Sequence, residues 1–307
     1  MSGFALLCPG QGGTHPGMLA WALADAAVAD TLRTEGGRLV GADWPERVAA
    51  SEGPAQEHRL AQLAIVAAGA GAWARLRPTL PDPDLIAGYS LGELTAWTCA
   101  GAWSLADGLA LAATRADAMR AAAPGAWTMA AVKGVSADAR DRLLDGLDDV
   151  HVAIVLDADH LVLTGRPEPM AALRARSDAA GASWTPLAVS LPTHSPPMHD
   201  AAIAFGRALR AHPRARPRVP VVRGVDARLL DDADAIPDAL EASLERTVRW
   251  DAVIGTLHER GVSVCLELPP GRALSRMIEA RGLGIEARAV EDFRSPEGLA
   301  RWVADRL

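Results

Sequence analysis

The chain has 307 residues, of which 50% are hydrophobic and 22% charged, with a net charge of -7. That length is enough for a large core and suits one sizeable domain carrying a smaller insert. The acidic balance argues against nucleic acid as a partner, because phosphate binding calls for a basic surface. The opening Met1-Ser2-Gly3 has no basic run, and the apolar stretch after it is too short for a leader or a membrane span. Cys8, Cys99 and Cys265 lie far apart in apolar segments without metal-ligand spacing. They are expected to be buried, reduced thiols of a cytoplasmic protein.

Short apolar runs alternate with Ala-rich helical stretches, which is the pattern of an α/β protein with parallel strands. Phe4–Cys8 reads as a first buried strand ending in the turn Pro9-Gly10-Gln11-Gly12-Gly13. A long apolar helix follows over Leu60–Leu76, then a strand over Leu85–Gly88 and helices over Leu91–Ala100 and Leu105–Ala123. Between Gly125 and Val189 the rhythm changes to strand Trp127–Val132, helix Ala137–Leu147, strands Val150–Leu156 and His160–Thr164, helix Glu168–Ala180 and strand Ser183–Val189. That βαββαβ order is the split βαβ pattern of ferredoxin-like folds. The predicted organisation is therefore a large α/β domain over 1–124 and 190–307, with a ferredoxin-like subdomain over 125–189. Ala208–Pro220 reads as a loop, Val219–Arg223 and Val262–Leu268 as further strands, and Pro296–Leu307 as a closing helix.

One segment carries chemistry directly. Leu85-Ile86-Ala87-Gly88-Tyr89-Ser90-Leu91-Gly92-Glu93 sets Gly-x-Ser-x-Gly between a strand and a helix. In that context the serine sits on a strained elbow at a helix N-terminus, where backbone N–H groups and the helix dipole favour developing negative charge. Ser90 is the candidate nucleophile, the alternative being an ordinary Gly-flanked N-cap serine.

A nucleophilic serine needs a base. His194 lies in Val189-Ser190-Leu191-Pro192-Thr193-His194-Ser195-Pro196-Pro197, where prolines stiffen the backbone, and it is either that base or an exposed loop histidine. His199 is a competitor without a comparable setting. Arg115 shares a helix face with Leu111, Ala112, Ala118 and Met119, so its guanidinium must find an anion. Two partners are open: an Asp or Glu of this chain, or a substrate carboxylate held by two parallel hydrogen bonds. Gln11 sits in a turn at the C-terminal end of a parallel strand, where α/β sites gather. It either offers a backbone N–H to an oxyanion or only shapes the turn.

Taken together these residues resemble the malonyl-CoA:acyl-carrier-protein transacylase family, the acyltransferases of fatty-acid and polyketide synthesis. The resemblance spans the chain: Pro9-Gly10-Gln11-Gly12 with Pro16-Gly17-Met18, the Ser90 motif, Arg115 25 residues later, His194-Ser195-Pro196, Val248-Arg249-Trp250, and Leu266-Glu267-Leu268-Pro269-Pro270-Gly271. It implies an α/β-hydrolase-like domain with a ferredoxin-like insert and a Ser90–His194 dyad. It also implies Gln11 and Leu91 N–H groups as an oxyanion hole, and Arg115 as the anchor of the malonyl carboxylate. Malonyl-CoA would be the substrate, a phosphopantetheinylated acyl carrier protein the partner, and no cofactor would be bound. Where the family has His before its nucleophile this chain has Tyr89, expected to fill the space and donate a hydrogen bond. Where the family has Asn or Gln to support its histidine this chain has Ser243, whose backbone carbonyl is expected to serve. The Arg-Thr-Val-Arg-Trp and Glu-Leu-Pro-Pro-Gly stretches also resemble the transacylase subunit of malonate decarboxylase. A hydrolase editing acyl carriers would use the same dyad. An acidic carrier needs a basic landing site, and Arg207, Arg210, Arg214, Arg216, Arg218 and Arg223 form the densest basic cluster.

Overall fold

The computed structural model describes residues 3–50 and 58–307, so Met1 and Ser2 of the opening segment lie outside the described residues. The fold is mixed α/β, built on two sheets. The first has the order β11-β10-β1-β2-β7-β8, where β1 is Gly3–Cys8, β2 Leu85–Gly88, β7 Val221–Val222, β8 Leu229–Leu230, β10 Val262–Glu267 and β11 Glu286–Ala289. Every pair in it is parallel except β7 with β8. The continuous apolar runs explain this, since a parallel strand covered on both faces has no solvent side to alternate with. In β1, Phe4, Leu6 and Cys8 enter one core, while Ala5 and Leu7 enter another on the opposite face. Pairing of Cys8 with Gly88 and of Leu7 with Glu267 brings the C-terminal ends of β1, β2 and β10 to one edge. The loops that carry Gln11 and Ser90 leave from that edge.

The second sheet has the order β6-β3-β5-β4-β9, with β3 Thr128–Lys133, β4 Val150–Asp157, β5 His160–Gly165, β6 Ser183–Leu187 and β9 Val248–Arg249. The four strands between 128 and 187 pair antiparallel, with helices Ala137–Leu144 and Pro167–Ala179 in the predicted places. The fifth strand comes from far along the chain: β9 runs parallel to β4, and Thr247 Oγ1 donates to the Val152 carbonyl at 2.7 Å. One face of this sheet shares a core with the first sheet through Met129, Ala153, Ile154 and Val162 against Ala5, Leu7, Ala87 and Trp250. The other face packs on its own helices around Leu161, Leu163, Met170 and Leu173.

The apolar run after residue 57 is a helix, His58–Leu76, buried on all sides. Ala208–Ala211, read as loop, instead completes a helix that starts at His199, because Ala201, Phe205 and Leu209 form a buried stripe at i, i+4 spacing. Pro213 then stops it. The strand read over Val219–Arg223 is only two residues long, and the closing helix ends at Ala304. Cys8 and Cys265 are buried free thiols and Cys99 is half-buried. Among the described residues no helix is long and apolar enough to cross a membrane.

Candidate active site

Ser90 occupies the left-handed region at φ 57°, a conformation that costs a non-glycine residue about 1–3 kcal/mol. The glycines on either side make the elbow possible. A Cβ at Gly92 would fall 1.9 Å from the Cys8 carbonyl oxygen, and one at Gly88 would fall 2.3 Å from the Glu93 nitrogen. Strand and helix could not approach this closely with any other residue at either position. The turn is closed by Gly92 N–H donating to the Tyr89 carbonyl at 2.9 Å and Glu93 N–H to the Ser90 carbonyl at 3.0 Å. Helix Gly92–Cys99 starts at once, so the Ser90 hydroxyl stands at its positive end.

His194 reaches that hydroxyl from the other side of the chain: Ser90 Oγ lies 2.7 Å from His194 Nε2. Its Nδ1 is 2.5 Å from the Ser243 carbonyl oxygen. A carbonyl can only accept, so Nδ1 carries the ring proton and Nε2 presents its lone pair to the serine. His194 N–H also donates to the Leu244 carbonyl at 2.8 Å. Both acceptors belong to the C-terminal end of helix Ile236–Glu245, whose last carbonyls have no partner within the helix. His194 is therefore no exposed loop residue; it is 1% exposed and held at φ 61°. Burial, with Arg115 as the second cause, lowers its pKa to about 4 against the opposing Ser243 bond. The imidazole is consequently neutral at physiological pH, as a base must be. In a histidine NMR titration one imidazole resonance, missing from His194→Ala, should change near pH 4; titration of that resonance between pH 6 and 7 would contradict this environment. His199, the competitor, is exposed and pairs with Glu245 at 2.6 Å, which raises its pKa.

Gln11, Tyr89, Ser90, Thr193 and His194 line one cleft, closed by Met129, Ile154 and Val162 of the second sheet and by Leu187 and Val189. The N–H groups of Gln11 and Leu91 have no acceptor among the described residues. Gly10 brings the Gln11 turn against the elbow, since a Cβ there would lie 2.6 Å from the Tyr89 carbonyl oxygen. The Tyr89 ring packs edge-on against Trp250 at 5.2 Å and 87°, burial raises its pKa, and its hydroxyl finds no hydrogen-bond partner among the described residues. It fills the space as expected.

Arg115 is 3% exposed, and burial brings its pKa down to about 10 with Glu93 opposing. It therefore remains a cation at neutral pH. Neither an Asp nor a Glu of the described residues pairs with it. Its Nη1 donates to Gln62 Oε1 at 2.8 Å and lies 3.0 Å from Met119 Sδ. Its charge is the second cause of the lowered His194 pKa, but Arg115 is not among the residues that line the cleft. Gln62 escaped the sequence reading; the only signal was one amide inside the apolar run Leu60–Trp73. Glu93 belongs to the serine motif, which gives no sign of its role. It is wholly buried, accepts from Gly224 N–H at 3.3 Å, and burial pushes its pKa up to about 7.

The arginine cluster is largely neutralised. Arg210 pairs with Asp238 and Glu241, Arg214 with Asp234, Arg216 with Asp231 and Arg223 with Asp226.

A serine on a strand–helix elbow, activated by a neutral histidine beside a pair of free N–H groups, defines the acyl-transferring class of serine enzymes. Within that class the chain belongs to the acyl transferase domain family, whose model matches residues 6–291. It is 31% identical over 285 residues to the malonyl CoA-acyl carrier protein transacylase of Salmonella typhimurium, covering 90% of this chain and 91% of that protein. FabD from Acinetobacter baumannii superposes with a TM-score of 0.90 at 27% identity, covering 100% of this chain and 99% of that one. A malonyl-transacylase solved in complex with its type II PKS acyl-carrier protein gives a TM-score of 0.88 at 31% identity, over 98% and 99% of the two chains.

Proposed function

We propose that this protein is an [acyl-carrier-protein] S-malonyltransferase, moving malonyl from malonyl-CoA to the phosphopantetheine thiol of an acyl carrier protein. The observation that carries the reading is the Ser90–His194–Ser243 chain of hydrogen bonds, with a buried cation, Arg115, whose charge bears on His194. The relatives named for this reaction, and the one solved with a carrier protein, support it.

In the first step His194 Nε2 takes the Ser90 proton as Oγ bonds to the thioester carbonyl carbon. The tetrahedral oxyanion rests on the N–H groups of Gln11 and Leu91, each such donor contributing about 3–4 kcal/mol in the transition state. Collapse breaks the carbon–sulfur bond, CoA leaves with the proton from His194, and malonyl remains as an ester on Ser90. The carrier thiol then gives its proton to His194, attacks the ester and returns Ser90. The Ser243 carbonyl holds the tautomer throughout. A backbone carbonyl stands behind the histidine where an aspartate would complete a triad, and a thiolate leaves far more readily than an amine, so a dyad suffices. Arg115 grips the malonyl carboxylate and fixes the carbonyl for attack. The exchange is redox-neutral and proceeds by proton transfer, so it calls for no cofactor beyond the CoA thioester.

The architecture behind this reading is an α/β-hydrolase-like domain over 1–124 and 190–307 with a ferredoxin-like subdomain over 125–189, in a cytoplasmic protein. The β6-β3-β5-β4 order and antiparallel pairing support the second element. Mass spectrometry after incubation with malonyl-CoA should find one malonyl group on Ser90, discharged faster by holo-carrier than by water. No adduct would refute the transferase, and discharge to free malonate at an unchanged rate with carrier present would make it a hydrolase.

A further inference from the structure

We propose that His58 is a positioning residue for the carboxylate site, fixing through Gln62 which end of an amide faces Arg115. The inference rests on the reading of Arg115 given above and names a further determinant of its selectivity. His58 and Gln62 stand one turn apart on helix His58–Leu76, as Arg115 and Met119 do on helix Leu105–Ala122. The two faces meet in the core, where Gln62 is wholly buried. Gln62 Oε1 accepts from Arg115 at 2.8 Å, while its Nε2 lies 2.7 Å from His58 Nε2 and 3.5 Å from Met119 Sδ.

The chemistry of these groups leaves one arrangement. A guanidinium only donates, so the amide oxygen is the only end of Gln62 that satisfies Arg115. The amide nitrogen then points at His58, whose Nε2 must supply a lone pair. His58 is thus neutral, with its proton on Nδ1. Its surroundings keep it so: burial, then the charges of Arg115 and Arg120, bring its pKa down to about 4. An apolar side chain at 58 would leave the amide nitrogen without its strong acceptor and remove the preference that aims the oxygen at Arg115. The flipped amide sets N–H against N–H, and the guanidinium loses its only oxygen acceptor among the described residues. Part of the orientation that a bound carboxylate finds ready-made would then be lost.

The test is steady-state kinetics with malonyl-CoA and acetyl-CoA for wild type, His58→Leu, His58→Gln and Arg115→Ala. His58→Leu should lower the ratio of malonyl to acetyl kcat/KM about tenfold, carried by the KM for malonyl-CoA rather than by kcat. His58→Gln, whose Oε1 still accepts at the same reach, should restore most of the ratio, which a purely volumetric role for His58 does not explain. His58→Phe keeps ring volume without an acceptor and gives the same contrast if the leucine variant folds poorly. An unchanged ratio in both apolar variants, or a glutamine variant no better than them, overturns the proposal. Arg115→Ala separates the two levels. If it leaves malonyl preferred, the carboxylate reading fails and this inference with it. If it abolishes the preference while the apolar His58 variants keep it, only the role of His58 falls.

Discussion

Ser90→Ala, His194→Ala and the double variant should all lose the same amount of acyl transfer, on the order of 10⁴-fold or more in kcat. The expectation follows from how the two side chains are joined. Ser90 Oγ becomes a nucleophile only by passing its proton to Nε2, at 2.7 Å, and Nε2 has no other hydrogen-bond partner among the described residues. Removing either group removes the same step, so the second substitution has little left to remove. The oxyanion donors are backbone groups of Gln11 and Leu91 and survive both changes, so binding of CoA thioesters should persist while the malonyl-serine disappears. Single-turnover measurement on the three variants checks this. Losses that multiply would mean that serine and histidine act in separate events, and the dyad would have to be abandoned.

Local backbone demands made the nucleophile readable in the sequence. Only glycine tolerates the contacts at positions 88 and 92, so a glycine-flanked serine between an apolar run and a helix has few structural explanations. The central strands were legible for a similar reason, since Phe4–Cys8 and Val262–Glu267 have no polar alternation. What stayed hidden is non-local or carried by the backbone. Two-residue β9 leaves no periodicity to find, and its pairing with β4 joins residues nearly a hundred positions apart. The support for His194 is a carbonyl, which every residue has, so Ser243 was found only through a family resemblance. The helical face of Arg115 marked it as buried and in need of an anion, either an Asp or Glu of this chain or a substrate carboxylate. The group that meets it is instead an amide 53 residues earlier, indistinguishable in the sequence from any other glutamine.

Arg115→Ala should cut malonyl kcat/KM more than a hundredfold and raise acylation by acetyl-CoA. The guanidinium stays charged at neutral pH while 3% exposed; among the described residues it hydrogen-bonds a neutral amide and a thioether, with Glu93 the carboxyl whose charge bears on it. Keeping a cation there without a directly paired carboxylate is costly, and a carboxylate that arrives with the substrate removes that cost. Truncating one member of such a buried, hydrogen-bonded pair typically costs about 2–5 kcal/mol, which is roughly 30-fold to several thousandfold. Acetyl-CoA offers no carboxylate, so in the wild type its methyl group must lie beside an unanswered charge. Alanine removes that penalty and leaves an apolar space that a methyl group can enter. Arg115 also holds down the pKa of His194, so the variant's imidazole should titrate at higher pH than the wild type's. The substrate switch is read from the acyl group on Ser90 with each thioester, and the electrostatic change from the histidine NMR titration. A variant that still prefers malonyl while its imidazole titration moves would show that Arg115 tunes the base without gripping the substrate. A variant that loses malonyl with no gain in acetyl would point to collapse of the Gln62–Met119 contacts rather than to lost selectivity.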